Sequence, residues 1–291
     1  MKKEFANQLK PILVAYDPAE PHQTADSLRD FWLQFKPKSI EVIKAEQRSQ
    51  QETVGIPIPV LKAIGKEISK AARKREDEFI PLARLLWDKY GREGRSVAVI
   101  PLGTMELANP EEIIPLLQIL CRTCITWEDA DRMAMNAFEP IVRKYPERWL
   151  SAVEPWLIDE NKWVRRAGIT VVGRLPMKHP AYINQCLTLT EQLLTDEEVD
   201  VKKAVSFAIR LTARGKIAPV RDFLTRHVPP KNPATTWVLC DVIRSMTKKF
   251  LPDFMSLLPL YEKWATDPAL SSKDRRSIES AIKTMQKVQV N

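Results

Sequence analysis

Glycine is scarce in this chain, with eight in 291 residues. It supplies the positive-φ turns of β-sandwiches and the loops whose amides cradle phosphates, and neither GxGxxG nor GxxxxGK[ST] occurs. Nucleotide-binding α/β folds are thereby disfavoured. Cysteine is scarce too: Cys121, Cys124, Cys186 and Cys240 are too few and too scattered for a disulfide framework. Cys121 and Cys124 form a CxxC, but no second pair or His-x-x-x-His accompanies it, and it sits in the apolar run LLQILCRTCI. Buried thiols are expected there, rather than zinc or redox chemistry. His22, His179 and His227 share no motif, and neither metal nor cofactor is expected. No apolar run is long enough to span a bilayer, and MKKEFANQLKPILVAYDPAEP lacks an apolar core followed by a small-residue cleavage site. The expectation is a soluble cytoplasmic protein with no membrane partner.

Proline, by contrast, is plentiful, at 22 residues. Such a number would wreck long central helices or sheets but suits many short helices punctuated at their ends, as the spacing of Pro101, Pro110, Pro140, Pro146, Pro176 and Pro180 suggests. Charge is uneven. Lys plus Arg against Asp plus Glu runs 23 to 25 over residues 1–161, 13 to 6 over 162–231 and 9 to 6 over 232–291, so one window carries nearly all of the net +8. A localised basic field suggests a polyanion, with nucleic acid first; the plain alternative is a solvated basic face.

Amphipathic helices are predicted over 3–15 and 24–35, the second with Leu28, Phe31, Trp32 and Phe35 on one side. A loop over 45–55 follows. Helices are then predicted over 59–73, 77–90, 93–107, 111–124, 126–144, 147–157, 161–174, 179–195, 197–213, 216–227, 233–248, 253–266 and 272–288. Nothing alternates like a strand for long. Helix pairs recur at spacings close to those of HEAT or armadillo repeats, whose apolar faces only neighbouring pairs can cover. The reading is an all-α, HEAT/armadillo-like α-solenoid of antiparallel helix pairs, one domain over 1–291 with 1–50 as a helical extension packed on the repeats. The structural rival is a globular helical bundle. If the basic window supplies the inner helices, they would line a concave basic cleft able to hold a duplex by its phosphates.

The stretch Thr126-Trp127-Glu128-Asp129-Ala130-Asp131 stands out. Thr126 can cap a helix, with Asp129 answering in capping-box fashion, which puts Trp127 in the first turn and Asp131 on the same face in the second. Taken alone, the pair reads first as a core indole beside a solvated acid. Two later helices give a reason to look further. One holds Asn161, Lys162, Trp163, Val164, Arg165 and Arg166; the other holds Lys202, Lys203, Phe207 and Arg210. Trp163 with Arg166, and Phe207 with Arg210, each stand three apart and share a face. Trp87, Trp149, Trp156, Trp237 and Trp264 are expected in the core.

From about Val54 to Arg221 the chain resembles the HEAT-like-repeat alkylpurine DNA glycosylases of the AlkD type. The resemblance rests on VGIPIPVLKAIGKE, LLWDKYGREGRSVAVIPL, W-E-D-A-D, D-E-N-K-W-V-R-R-A and K-K-A-V-S-F-A-I-R. It implies that Asp131 is the catalytic carboxylate, that Trp127 lies against the deoxyribose, and that Arg166 and Arg210 serve DNA binding or the catalytic cleft. Trp163, Arg165, Lys202, Lys203 and Phe207 join the expected DNA-binding set. The family carries a second cleft tryptophan where this chain has Phe207, and often an aromatic residue where it has Thr126. A smaller ring covers less of the sugar.

The chemistry stands apart from the resemblance. A purine alkylated on a ring nitrogen is already cationic and leaves without a protonating acid, so one carboxylate facing the oxocarbenium-like sugar suffices. The expected function is a monomeric DNA repair glycosylase hydrolysing the N-glycosidic bond of cationic N3- or N7-alkylpurines. Its partner is double-stranded DNA containing alkylated bases, which would make it nucleoid-associated when bound. The resemblance implies a lesion held in the stack. The alternatives are a non-catalytic DNA-binding paralogue and a protein-binding scaffold. Glu128 and Asp129 are expected to be structural, Arg165, Lys202 and Lys203 to meet phosphate or solvent, and KDRR at 273–276 to be a solvated helix start.

Overall fold

The computed structural model describes residues 2–36, 53–104 and 110–289. Most of the loop expected over 45–55, the end of the 1–50 extension and residues 105–107 of the helix expected over 93–107 lie outside the described residues. Among the described residues there is no strand, and no helix is long and apolar enough to cross a membrane. The chain divides into two compact units, residues 1–149 and 150–291.

The first unit holds α1 (Lys2–Val14), α2 (Pro21–Leu33), α3 (Ile58–Ala72), α4 (Glu76–Lys89), α5 (Gly91–Leu102), α6 (Pro110–Arg122), α7 (Trp127–Met133), α8 (Glu139–Lys144) and α9 (Pro146–Trp149). α1 packs on α3 and α2 on α4, while α5 packs on its hairpin partner α4, on α3 before it and on α7 after it. Leu28, Phe31 and Trp32 bury the predicted face of α2. α5 is sunk so deep that even Arg92, Glu93 and Arg95 are buried along with its valines.

The second unit holds α10 (Glu154–Leu157), α11 (Lys162–Arg174), α12 (Ile183–Glu191), α13 (Val199–Thr212), α14 (Ile217–His227), α15 (Thr236–Arg244), α16 (Leu258–Ala265) and α17 (Ser272–Gln289), with 3₁₀ turns between several of them. α11 packs on α13, α13 on α15 and α15 on α17, while α12 packs on α14 in a second row. Alternate helices stacking in two rows is the HEAT/armadillo-like α-solenoid arrangement: each helix pair covers an apolar face that its neighbour would otherwise leave in water. Close approach is required in places. A Cβ on Gly173 of α11 would stand 2.3 Å from the Ala208 Cα of α13, so this crossing tolerates no side chain.

Two predicted helices are interrupted. The helix expected over 126–144 is α7, a π turn over Ala134–Phe138, and α8. Pro140 explains the break: it has no N–H to offer the carbonyl of Asn136, and its ring crowds that oxygen. The helix expected over 147–157 breaks likewise at a 3₁₀ turn, Ser151–Val153, ahead of Pro155 in the first turn of α10. Pro101 departs from the expected punctuation, lying inside α5 near its end. Trp87, Trp149, Trp156 and Trp264 are buried, but Trp237 is only half-buried.

Candidate nucleic-acid interface and active site

In the first unit Thr126 caps α7, its hydroxyl accepting from the Asp129 N–H at 3.4 Å. Asp129 is fully buried; its Oδ2 accepts from the Ile125 N–H at 3.2 Å and from Arg95 Nη1 of α5 at 2.6 Å. Arg95 in turn lies over the Trp87 ring, 5.1 Å from its centroid. Glu128 is held as firmly, by Arg92 Nε at 3.3 Å and by Arg132 one turn on. Burial pushes the Arg132 pKa down, with the Glu128 carboxylate opposing it.

Glu128 and Asp129 are therefore both bonded to arginines, in keeping with the structural roles expected of them. Asp131 lies one turn from Trp127 and is 8 % exposed, whereas Trp127 is 55 % exposed. This inverts the first reading of the pair: the indole is not in the core and the acid is not solvated. A ring that size left in water beside a sheltered carboxylate is a costly arrangement for a fold with no ligand to meet it.

The same end of α5 is also tied to the segment before α3. Glu93 Oε1 accepts from the Thr53 hydroxyl at 2.8 Å and from the amides of Gly55 and Ile56 at 3.0 and 3.2 Å. Gly55 has φ 78°, a conformation few other residues adopt. Where α5 ends, a Cβ on Gly103 would stand 2.0 Å from the Asn136 carbonyl oxygen, so the glycine lies directly against the π turn that follows α7. The Asn136 side chain donates back to the Arg132 carbonyl at 3.0 Å. Arg92 and Arg95 escaped sequence reasoning, although charges clustered at the start of an otherwise apolar helix were the available signal.

In the second unit Asn161 caps α11 by accepting from the Trp163 N–H at 2.8 Å. Trp163 is half-buried, with the Lys162 ammonium 4.6 Å from its ring centroid. Burial works to lower the Lys162 pKa, but the Asp200 and Glu198 carboxylates outweigh it and raise it. Arg165 pairs with Asp196 at 2.7 Å and donates to the Asp159 and Glu160 carbonyls at 2.9 Å, so it staples the turn before α11 to the segment before α13. Arg166 is buried and donates to the Asp200 carbonyl at 2.6 Å, joining α11 to α13.

On α13, Lys203 is exposed and Lys202 half-buried. Arg210 lies 5.6 Å from the Phe207 ring centroid and donates to the Ser206 and Ser245 carbonyls at 3.2 and 3.0 Å. Burial pushes the Arg210 pKa down; Asp241 raises it and Arg214 lowers it further. Trp163, Arg165, Arg166, Lys202, Lys203, Phe207 and Arg210 thus share the α11–α13 stack, while Trp127 and Asp131 belong to the first unit. KDRR is largely structural: Arg275 donates to the Asp267 carbonyl at 2.9 Å and Asp274 accepts from Ser271 at 2.6 Å.

The four cysteines are buried and form no disulfide among the described residues. Burial pushes Cys186 and Cys240 up to about 12. Among the described residues no group of three or more His, Cys, Asp or Glu is placed to hold a metal ion.

Among solved structures the chain is similar to a designed armadillo repeat protein, with 15 % identity and a TM-score of 0.35 over 79 % of this chain and 100 % of that one. It is similar also to a designed armadillo repeat protein in complex with a (KR)4 peptide, with 13 % identity and a TM-score of 0.38 over 78 % and 99 %. No curated protein matches the sequence. The model of a family described as DNA alkylation repair enzyme matches residues 33–236, well over half of the chain and both of the helical segments just described. The chain therefore belongs to the DNA alkylation repair enzyme family, and its work lies in DNA repair.

Proposed function

We propose that the protein is a DNA glycosylase releasing cationic N-alkylpurines from duplex DNA, with Asp131 as the carboxylate that meets the developing sugar cation. The observation that carries this reading is the contrast within one helical turn, an exposed Trp127 above a sheltered Asp131, while Glu128 and Asp129 are both bonded to arginines. The indole supplies a flat apolar face for deoxyribose. The carboxylate supplies the opposite charge when the glycosidic bond stretches, and the base, already positive, departs without a proton donor. At an effective dielectric near 20, an anion about 4 Å from the sugar is worth roughly 4 kcal/mol, on the order of a thousandfold in rate. The basic residues of the second unit, Lys202, Lys203 and Arg210, serve the phosphate backbone. Arg165 and Arg166 hold α11 and α13 in register.

The experiment is release of methylated purines from alkylated duplex DNA by the purified chain. Asp131→Asn is expected to keep DNA affinity and lose on the order of a thousandfold in excision rate. No release by the wild type, with DNA still bound, would overturn the enzymatic reading. That outcome defines the second reading, a non-catalytic DNA-binding paralogue. Two observations favour it: Phe207 stands where the resemblance implies an indole, and the Thr126 hydroxyl, where an aromatic ring is common, is taken by the helix cap.

A further inference from the structure

A pocket opens in the second unit between the carboxy-terminal half of α13 and the turn after α15, lined by Phe207, Arg210, Arg214, Ser245, Thr247 and Phe250 among others. The family match ends at residue 236, so Ser245–Phe250, one whole wall, lies beyond the matched region. The wall reads Ser-Met-Thr-Lys-Lys-Phe and is cationic.

Two of the pocket's cations differ in how they are held. Arg210 has Nε and Nη1 fixed on the Ser206 and Ser245 carbonyls, one from each wall, while its Nη2 has no acceptor among the described residues. Arg214, in the turn that follows α13, is exposed, and its guanidinium makes no hydrogen bond or ion pair among the described residues. The two guanidinium charges oppose one another, Arg214 lowering the Arg210 pKa while the Asp241 carboxylate acts the other way. The nearest acid, Asp241, is engaged elsewhere: it accepts from Ser206 at 2.7 Å and Ser245 at 3.3 Å and pairs with Arg244 at 3.5 Å. The exposed Thr247 hydroxyl donates to nothing among the described residues, and its carbonyl closes the turn by accepting from Phe250 and Leu251. The Lys248 and Lys249 side chains are exposed beside it.

Space decides between ligands. The pocket is open to solvent and small, with about 30 Å³ accessible to water-sized groups, room for more than one ordered water. Its floor therefore suits the oxygens of a small polar group.

We propose that this pocket seats a phosphodiester of the DNA backbone, gripped by Arg214 and Arg210 Nη2 with the Thr247 hydroxyl and flanked by Lys248 and Lys249. It rests on the DNA-binding reading but is independent of Asp131 and of whether a base is excised. An anion relieves the Arg210–Arg214 repulsion, and the sequence window beyond 236 thereby gains a role in holding the duplex.

The test is fluorescence anisotropy of the full chain on an undamaged duplex oligonucleotide across a salt series. Arg214→Gln is expected to weaken binding several-fold and to flatten the slope of log affinity against log salt by about one, the signature of one lost phosphate contact. Lys248→Gln with Lys249→Gln, on an exposed turn, is expected to reduce the slope as well. Circular dichroism melts check that both variants fold. Unchanged slope and affinity in folded Arg214→Gln overturns the site. So does saturable binding of inorganic phosphate that Arg214→Gln abolishes while DNA binding stays intact, which would mark a free-anion site. Absence of salt-dependent DNA binding by the wild type sinks the DNA-binding reading itself, and is distinguishable because it precedes any variant.

Discussion

Arg95 and Asp129 form a sheltered ion pair at the head of α7, with side chains 9 % and 0 % exposed. Removing one partner of such a pair strands the other's charge in the interior, which is far costlier than the pair's net contribution. Arg95→Ala is expected to destabilise the protein by about 3–5 kcal/mol, and Arg95→Lys by less, as read by urea unfolding at neutral pH. If instead Arg95→Ala melts like the wild type, the pair is not what holds Ile125 and the first turn of α7 in place. At this scale the sequence was partly legible. The W-x-x-x-D spacing put Trp127 and Asp131 on one face, and cap and acids were read in the right places. What could not be read was which partner Asp129 would choose. A capping box is a local motif, whereas Arg95 is 34 residues away in the chain and reaches Asp129 only because α5 stacks on α7.

The π turn is the feature to test among the elements. An extra residue in a helix is tolerated where something rewards it, and here the released Asn136 carbonyl lies against Gly103 while Asn136 itself closes on Arg132. Gly103→Ala brings a methyl group to within 2.0 Å of that carbonyl, so the backbone must shift. The expected result is a loss of about 1–3 kcal/mol in thermal unfolding, together with slower excision at unchanged DNA affinity, because the turn that moves is continuous with the helix carrying Asp131. Helix positions were largely legible, since apolar periodicity and proline punctuation are local signals. The breaks within 126–144 and 147–157 were missed because both segments keep their apolar period through the irregular turn. Pro140 and Pro155 were the clues.

Burial of titratable groups sets a property of the whole molecule. Cys186 and Cys240 are raised from an ordinary 9.0 to about 12 by burial. A group that holds its proton more tightly when folded adds stability below its unfolded pKa and loses it as pH climbs toward the folded one. Melting temperature should therefore fall between about pH 9 and 12, and thiol reagents at pH 8 should label these cysteines only after denaturant is added. Fast labelling of the native protein would contradict the burial. The all-helical class and the repeat stacking were legible from scarce glycine, abundant proline and short connectors. The concentration of positive charge in 162–231 was legible too, but not its disposition: Arg165 is spent on Asp196 and Lys162 on Asp200, so part of that charge binds helix to helix.

Three carboxylates within four residues look like redundancy, a segment able to lose one acid and fall back on the next. The bonding removes that safety. Glu128 and Asp129 are each turned toward arginines and cannot swing round to the sugar without abandoning a buried charge. On the glycosylase reading proposed above, the motif therefore carries no understudy, and a variant that lost the acid at 131 would keep its fold with nothing left to cut with.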